Sequence, residues 1–224
     1  MTVTFRDGHD VDLINFMGGD DSVAMSAWVS FGADREERLQ DKDKVKGLIR
    51  FLYRNEHMTP FESSLFTFRI ATPIFVTREV QRHRSASYNE WSGRYAEMIP
   101  EFYLPGQERP LKQEGKPGAY YFVPGTQEQY DAVATRQEFV VESAWSAYQD
   151  QLSMGVAKEV ARNCLPLSTY TRFYVTMNAR NLMHFLSLRT ADNALYEIRE
   201  VAGAMEKHLE EKMPMTYAAY KETA

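Results

Sequence analysis

Arg82-His83-Arg84-Ser85-Ala86-Ser87-Tyr88-Asn89-Glu90-Trp91-Ser92-Gly93-Arg94-Tyr95 is the stretch on which the reading of this chain turns. It holds three arginines, a histidine, a carboxylate, three serines, an asparagine and a glycine within fourteen residues. A solvated helix face would favour Lys and Glu. Arginine instead offers five donors in a rigid fork that suits phosphates, carboxylates and the carbonyl edge of a base. Gly93, between Ser92 and Arg94, lets the backbone turn tightly or approach a ligand closely. The residue types describe a loop that grips an anionic, hydrogen-bonding small molecule.

Composition favours a small ligand over a polymer. The net charge is −5 and the pI near 5.6, whereas sequence-independent nucleic-acid binding needs a broad positive field. Between Arg78 and Arg94, four arginines against two glutamates leave a local charge of +2. An acidic protein with one basic cleft suits a small phosphorylated ligand. A chain of 224 residues is long enough to bury a sizeable core and is read as one domain, 1–224. Its one cysteine, Cys164, permits no disulfide framework and suits a reducing compartment. With no long apolar run and no basic-then-apolar start, the expectation is a cytoplasmic protein without membrane contact.

Along the chain, Thr2–Phe5 and Val11–Phe16 read as strands, and Asp20 or Asp21 as the cap of a helix to about Ser30. Val45, Leu48, Phe51 and Leu52 place a second helix over about Arg35–Asn55, with the charged run Asp34–Lys46 as a solvated face. Pro60 should end that helix and hold Thr59 extended. Phe66, Phe68 and Ile70 form one face of a strand over 64–70. Pro73 then opens a helix to about His83, so the arginine-rich stretch is fed by a helix end. Pro- and Gly-rich 100–124 reads as an irregular surface segment, a candidate cover for the site.

Gln127–Met154 carries the clearest apolar stripe, Tyr130, Val133, Ala134, Val141, Ala144, Trp145, Tyr148 and Leu152, with Gly155 as its cap. A short helix over 157–163 follows. Tyr170 to about Arg189 reads as mostly helical, with Val175, Ala179, Leu182 and Leu186 inward and Thr176, Arg180 and His184 sharing another face. A last amphipathic helix spans Ala194–Glu211, with Ile198, Val201, Met205 and Leu209 inward.

The order of residues carries more than their types. Arg82, His83, Arg84, Ser87, Asn89, Glu90 and Ser92 occupy every fixed position of the signature of the flavin-dependent thymidylate synthases (the ThyX family), which this chain resembles. The resemblance extends over roughly residues 10 to 215. His57–Glu62 is similar to the family's His-x-Thr/Ser-Pro-Phe-Glu segment and Pro73–Gln81 to its pre-signature helix. Glu159–Arg162 with Leu165-Pro166, Asn178–Arg180 and Leu188-Arg189 resemble its later site segments.

Such a resemblance implies FAD and a homotetramer with active sites shared between subunits. It implies methylation of dUMP to dTMP, with methylenetetrahydrofolate as the carbon donor and NADPH as the reductant. Carried over by position, Thr59, Arg82, His83, Arg84, Ser85, Glu90, Asn178, Arg180 and His184 would contact FAD. The nucleotide would be held by Glu79, Val80, Gln81 and Arg82, by Glu90, Trp91, Ser92, Gly93 and Arg94, and by Arg162 and Arg189. Arg189 matches the family residue placed at the pyrimidine, where a cation stabilises charge developing as C5 becomes nucleophilic. Glu79 and His184 depart from the family's usual Gln and Asn.

Taken alone, several of these residues have plainer readings. Arg162 by itself is a salt-bridged surface residue. Asn178 and Arg180 lie about 200° apart on an ideal helix and share a pocket only if the helix starts there or neighbouring subunits' sites are served. His57, His83 and His184 lack metal-ligand spacing, so no metal is expected. Ser92 has no evident base and reads as a phosphate or hydroxyl ligand; Cys164 reads as an inert core thiol. The fold expected is α+β, a small antiparallel or mixed sheet packed by helices, with a helical C-terminal half. Two competing readings are a non-catalytic nucleotide-binding protein and an RNA-binding module, the second disfavoured by the charge.

Overall fold

In chain order the elements of the computed structural model are β1 (Thr4–Arg6), β2 (Asp10–Met17), α1 (Asp20–Val29), α2 (Lys42–Arg54), β3 (Leu65–Pro73), α3 (Ile74–Val80), β4 (Ser87–Glu90), β5 (Glu101–Tyr103), β6 (Lys112–Lys116), β7 (Ala119–Val123), α4 (Gln127–Ser153), α5 (Lys158–Ala161), β8 (Tyr170–Asn178), α6 (Ala179–Arg189), α7 (Tyr196–Lys212) and α8 (Pro214–Lys221). The structure describes residues 2–30, 32 and 36–222. This is the α+β mixture expected, with helices crowding the C-terminal part. Among the described residues, no helix is long and apolar enough to cross a membrane. The chain divides into two compact units, one of residues up to Asp10, Ala71–Gln81 and Glu90–Phe173, the other of Val11–Ile70, Arg82–Asn89 and Tyr174 onward.

In the first unit β1 pairs in parallel with β5, Phe5 opposite Phe102. Phe102, Val141, Trp145, Tyr148 and Ala161 form its core. Helix α4 starts at a reciprocal cap: Thr126 Oγ1 accepts from Gln129 N at 3.3 Å, and Gln129 Oε1 accepts from Thr126 N at 2.9 Å. It ends at Gly155, whose φ of +80° suits a residue without Cβ. The expected stripe is only partly core. Val141, Trp145 and Tyr148 are buried, but Tyr130, Val133, Ala134, Ala144 and Leu152 are half-buried. A helix of 27 residues spans about 40 Å, longer than the apolar cluster it packs on.

Residues 100–124 also differ from expectation. Instead of an irregular segment they hold β5 and the antiparallel hairpin β6–β7, with Lys112 opposite Val123 and Lys116 opposite Ala119. Pro117 and Gly118, the latter at φ +85°, close its turn. The Pro-Gly pairs mark turns between short strands, and the run Tyr120-Tyr121-Phe122 has the β preference that fills one of them.

Strands β2, β3, β8 and β4 form a four-stranded sheet in that order. Phe66, Phe68 and Ile70 of β3 are fully buried, as their alternation predicts. Ile198, Val201, Met205 and Leu209 of α7 are likewise fully buried. Asp20 does not cap its own helix. Gly19 takes that place with no side-chain bond. The Asp20 carboxylate instead accepts from Met215 N (2.8 Å), Thr216 N (3.0 Å) and Thr216 Oγ1 (2.6 Å), capping α8.

The helix expected over Arg35–Asn55 is two elements, a 3-10 turn over Glu36–Gln40 and α2. Asp41 interrupts it because its carboxylate accepts from Lys44 N at 3.2 Å, starting α2 afresh. Arg35, and Asp34 of the charged run, lie outside the described residues. Thr59 is not extended but begins a 3-10 turn, Thr59–Ser63, with Pro60 in its first positions. The largest correction concerns 170–189. Tyr170–Asn178 is strand β8, and the helix begins only at Ala179. Thr171, Phe173, Val175 and Met177 are buried at a period of two, so Thr176 shares no helical face with Arg180 and His184.

Candidate active site

Helix α3 releases the chain earlier than expected. Its last residue is Val80, and Gln81 N closes on Thr77 O at 2.9 Å. The His83 carbonyl then accepts the Tyr88 hydroxyl at 2.7 Å instead of a helical N–H. Half-burial pushes the Tyr88 phenol up to about 12, so it stays a neutral donor. Ser87–Glu90 is not loop but β4, at the edge of the four-stranded sheet.

Eight of the nine residues carried over to the flavin fall in the second unit, and all eight line cavities there. Arg82, His83, Arg84 and Ser85 border a space of about 270 Å³ together with His184 and Arg189. Ser85, Asn178, Arg180 and His184 border a larger one of about 930 Å³. Thr59 and Arg180 border a third of about 600 Å³. Shared lining residues join the first space to the second through Ser85, Asn181 and His184, and the second to the third through Glu56, Met58 and Arg180. Glu90 belongs to the first unit.

Helix α6 makes this grouping possible. Asn178 is its N-cap, the side chain accepting from Asn181 N at 2.9 Å. Because the helix starts there, the separation computed for an ideal helix does not apply, and Asn178 and Arg180 line one cavity. Asn181 also donates from Nδ2 to Ser85 O at 2.9 Å, tying α6 to the signature segment. Sequence reasoning passed over Asn181; its place three residues after a capping Asn was the available signal. It also passed over Glu62 as a site residue, whose Oε1 lies 2.6 Å from Arg180 Nη1.

His83 packs edge-on against Phe185, centroids 4.8 Å apart, and faces the His184 ring at 6.1 Å. Arg189 Nε donates to His83 Nε2 at 2.9 Å.

Most of the nucleotide set lies in the first unit. Glu90 is held at both oxygens, by Gln81 Nε2 (3.1 Å) and Thr171 Oγ1 (2.9 Å). Trp91 N donates to Arg172 O at 2.8 Å, and the Arg172 guanidinium lies 5.6 Å from the Trp91 ring centre. Ser92 O accepts from Tyr95 N and Ala96 N, and Ser92 Oγ from Arg94 N at 3.3 Å. That hydroxyl is an acceptor in its own turn. Gly93 is buried where a Cβ would meet Met98 Sδ at 2.7 Å and Arg162 Cδ at 3.0 Å. Only glycine lets the Arg162 side chain lie this close. Arg94 pairs with Glu159 at 2.8 Å. Val80 is fully buried, leaving only its backbone to a ligand, and Glu79 is half-buried.

Cys164 is exposed rather than a core thiol. It closes the 3-10 turn Arg162–Cys164, and its thiol donates to Ala161 O at 3.2 Å.

Residues 12–215 match the family described as thymidylate synthase complementing protein. The chain belongs to the flavin-dependent thymidylate synthase family. It is 44% identical to the flavin-dependent thymidylate synthase of Streptomyces avermitilis over 97% of this chain and 92% of that one. The counterpart from Tropheryma whipplei is 45% identical over 94% of this chain and 91% of its own. Among solved structures, a UMP/dUMP methylase, PolB from Streptomyces cacaoi, bound with 5-Br dUMP, superposes with a TM-score of 0.89. Identity there is 39%, covering 98% of this chain and 97% of that one. Family membership makes the chain a flavin-dependent enzyme of the methyltransferase class. The segments that carried the resemblance, from His57–Glu62 to Leu188-Arg189, all fall within the matched range.

Proposed function

We propose that this enzyme converts dUMP to dTMP with FAD as its flavin, methylenetetrahydrofolate as carbon donor and NADPH as reductant, in the cytoplasm. In this reading it is a single-domain chain acting as a homotetramer with shared active sites. The observation that carries it is the convergence of eight carried-over flavin residues on three connected cavities of one unit. Their chemistry fits FAD. Arg82, Arg84 and Arg180 supply forks for the pyrophosphate, and the capped start of α6 adds its positive dipole end. When bound, the flavin supplies the carbon-carrying and reducing chemistry.

The remaining work belongs to the chain. Arg162, Arg94 and the Ser92–Gly93 backbone hold the nucleotide phosphate, and Glu90, held by Gln81 and Thr171, keeps a fixed orientation toward the nucleotide. Arg189 orients the pyrimidine and stabilises the negative charge that grows on it as C5 attacks. Shared sites accord with the exposure of Arg82, Arg84 and Arg94, cations that a neighbouring subunit and ligands would cover.

Tritium release from C5-labelled dUMP tests this, with FAD, NADPH and methylenetetrahydrofolate each omitted in turn. Release that requires all three and survives Cys164→Ala is expected. No release from folded, flavin-loaded protein would favour a nucleotide-binding protein. Labelled UMP run in parallel would show whether this chain also takes the ribonucleotide, as the name of its structural neighbour says of that protein.

A further inference from the structure

Arginine is a donor at every nitrogen and keeps its proton at all working pH values. The bond from Arg189 Nε to His83 Nε2, 2.9 Å long, therefore fixes the state of the imidazole. Nε2 must carry the lone pair, the ring must be neutral, and its proton must sit on Nδ1. We infer that neutral His83 is the positioning residue for Arg189, locking the guanidinium by its Nε edge, and that protonating His83 releases the arginine and lowers turnover. This rests on the reading of Arg189 as the residue that orients the pyrimidine.

His83 is well placed to hold one orientation. Its backbone carbonyl is anchored by the Tyr88 hydroxyl, and its ring abuts Phe185, one turn of α6 before Arg189. Anchoring Nε fixes the plane and direction of the guanidinium fork, whose terminal nitrogens have the geometry of a bidentate donor to a pyrimidine carbonyl edge.

The surroundings oppose a second positive charge. Charged and titratable groups beside His83 include Arg82 and Arg84 of its own segment and Arg189 and His184 of α6, which line a cavity with it, and the neutral phenol of Tyr88, bonded to its carbonyl. Among the described residues, no carboxylate lines the cavity that His83 shares with these arginines and His184. An imidazolium there would meet a guanidinium with an N–H facing an N–H, so the guanidinium must swing away. Turnover then falls on the acid side, about tenfold per pH unit below the His83 transition.

Two readouts test this separately. In protein labelled with 15N at its five histidines, long-range 1H–15N correlations report each ring's tautomer, and His83→Gln identifies the His83 signal. The expected result is a proton on Nδ1 and protonation at lower pH than in Arg189→Leu, with Arg189→Gln as a second variant should the first fail to fold. A proton on Nε2, or an unchanged transition in the folded Arg189 variant, overturns the proposal whatever the activity. The second readout is the ratio of kcat/KM at pH 8 to that at pH 6, with flavin content recorded for each variant. His83→Gln keeps an amide acceptor that does not titrate, so its ratio should flatten, while His83→Leu should be low at both values. A wild-type ratio in His83→Gln would overturn the pH linkage. Absence of turnover in the wild type would count against the proposed function and leave the tautomer result standing.

Discussion

Arg180 Nη1 lies 2.6 Å from Glu62 Oε1, so the cation assigned to the flavin's anionic part already faces a carboxylate within the same cavity. Both side chains are close to half exposed, and pairs of that kind stabilise by about 0–1 kcal/mol. Arg180→Ala should therefore hardly shift the melting temperature of flavin-free protein. Flavin retained after gel filtration should fall roughly tenfold or more, the scale of one charge-assisted hydrogen bond. Melting curves and absorbance spectra of the same preparations would separate the two effects.

Gly93 and Gly203 should respond in opposite ways to alanine. At Gly93 the new methyl meets Met98 Sδ and Arg162 Cδ. Both are flexible, so the fold yields and Arg162 moves. KM for the nucleotide should rise about tenfold with the fold retained. At Gly203, inside α7, a Cβ meets nothing within 4 Å. Gly203→Ala should stabilise by about 0.5–1 kcal/mol and leave KM unchanged. Steady-state kinetics with thermal melts would check both.

The Asp20 carboxylate serves three donors of α8. Asp20→Ala leaves them without an acceptor in a buried place and should cost about 1–3 kcal/mol. A protein of this size would then melt several degrees lower, at about 2–4 °C per kcal/mol. Asp20→Asn keeps one carbonyl acceptor and should lose less. Urea titration would rank wild type, Asn and Ala in that order.

Tyr88 gives a pH dependence of definite sign. Its folded pKa is raised from 10.0 to about 12 by burial, so the folded state holds the phenolic proton more tightly than the unfolded chain. The resulting stabilisation is complete below pH 10 and disappears as pH rises from 10 to about 12. Tyr88→Phe loses both this dependence and the hydrogen bond to His83 O, the latter worth about 0.5–1.5 kcal/mol. The deficit of Tyr88→Phe against wild type should therefore be larger at pH 9 than at pH 11.5 in chemical denaturation. Equal deficits at the two values would show that Tyr88 ionises freely.

Local chemistry was legible wherever one residue type fixes one outcome. The alternation of Phe66, Phe68 and Ile70 gave β3, the spacing of Ile198, Val201, Met205 and Leu209 gave α7, and Gly155 gave the end of α4. Each of these follows from side chains placed by a period of 2 or 3.6, or from one backbone angle. The signature segment was recognised by the order of its residues, which matches the family's, whereas their types alone describe only a basic loop able to hold an anion. The largest failure has a physical cause. Tyr170–Asn178 carries apolar residues at both periods, and pairing within the sheet decided for strand.

What the sequence determined by itself was the set of groups, their types and their order: the arginines of Arg82–Arg94, the glycine that ends α4, and membership of the family. Tertiary structure alone decided which groups meet. Asp20 is claimed by Thr216, 196 residues away, because α8 packs beside α1. Arg189 reaches His83 across 106 residues because α6 lies along the signature segment. A carboxylate or guanidinium can satisfy its hydrogen bonds with many partners of similar energy, and only the packing of apolar faces selects one.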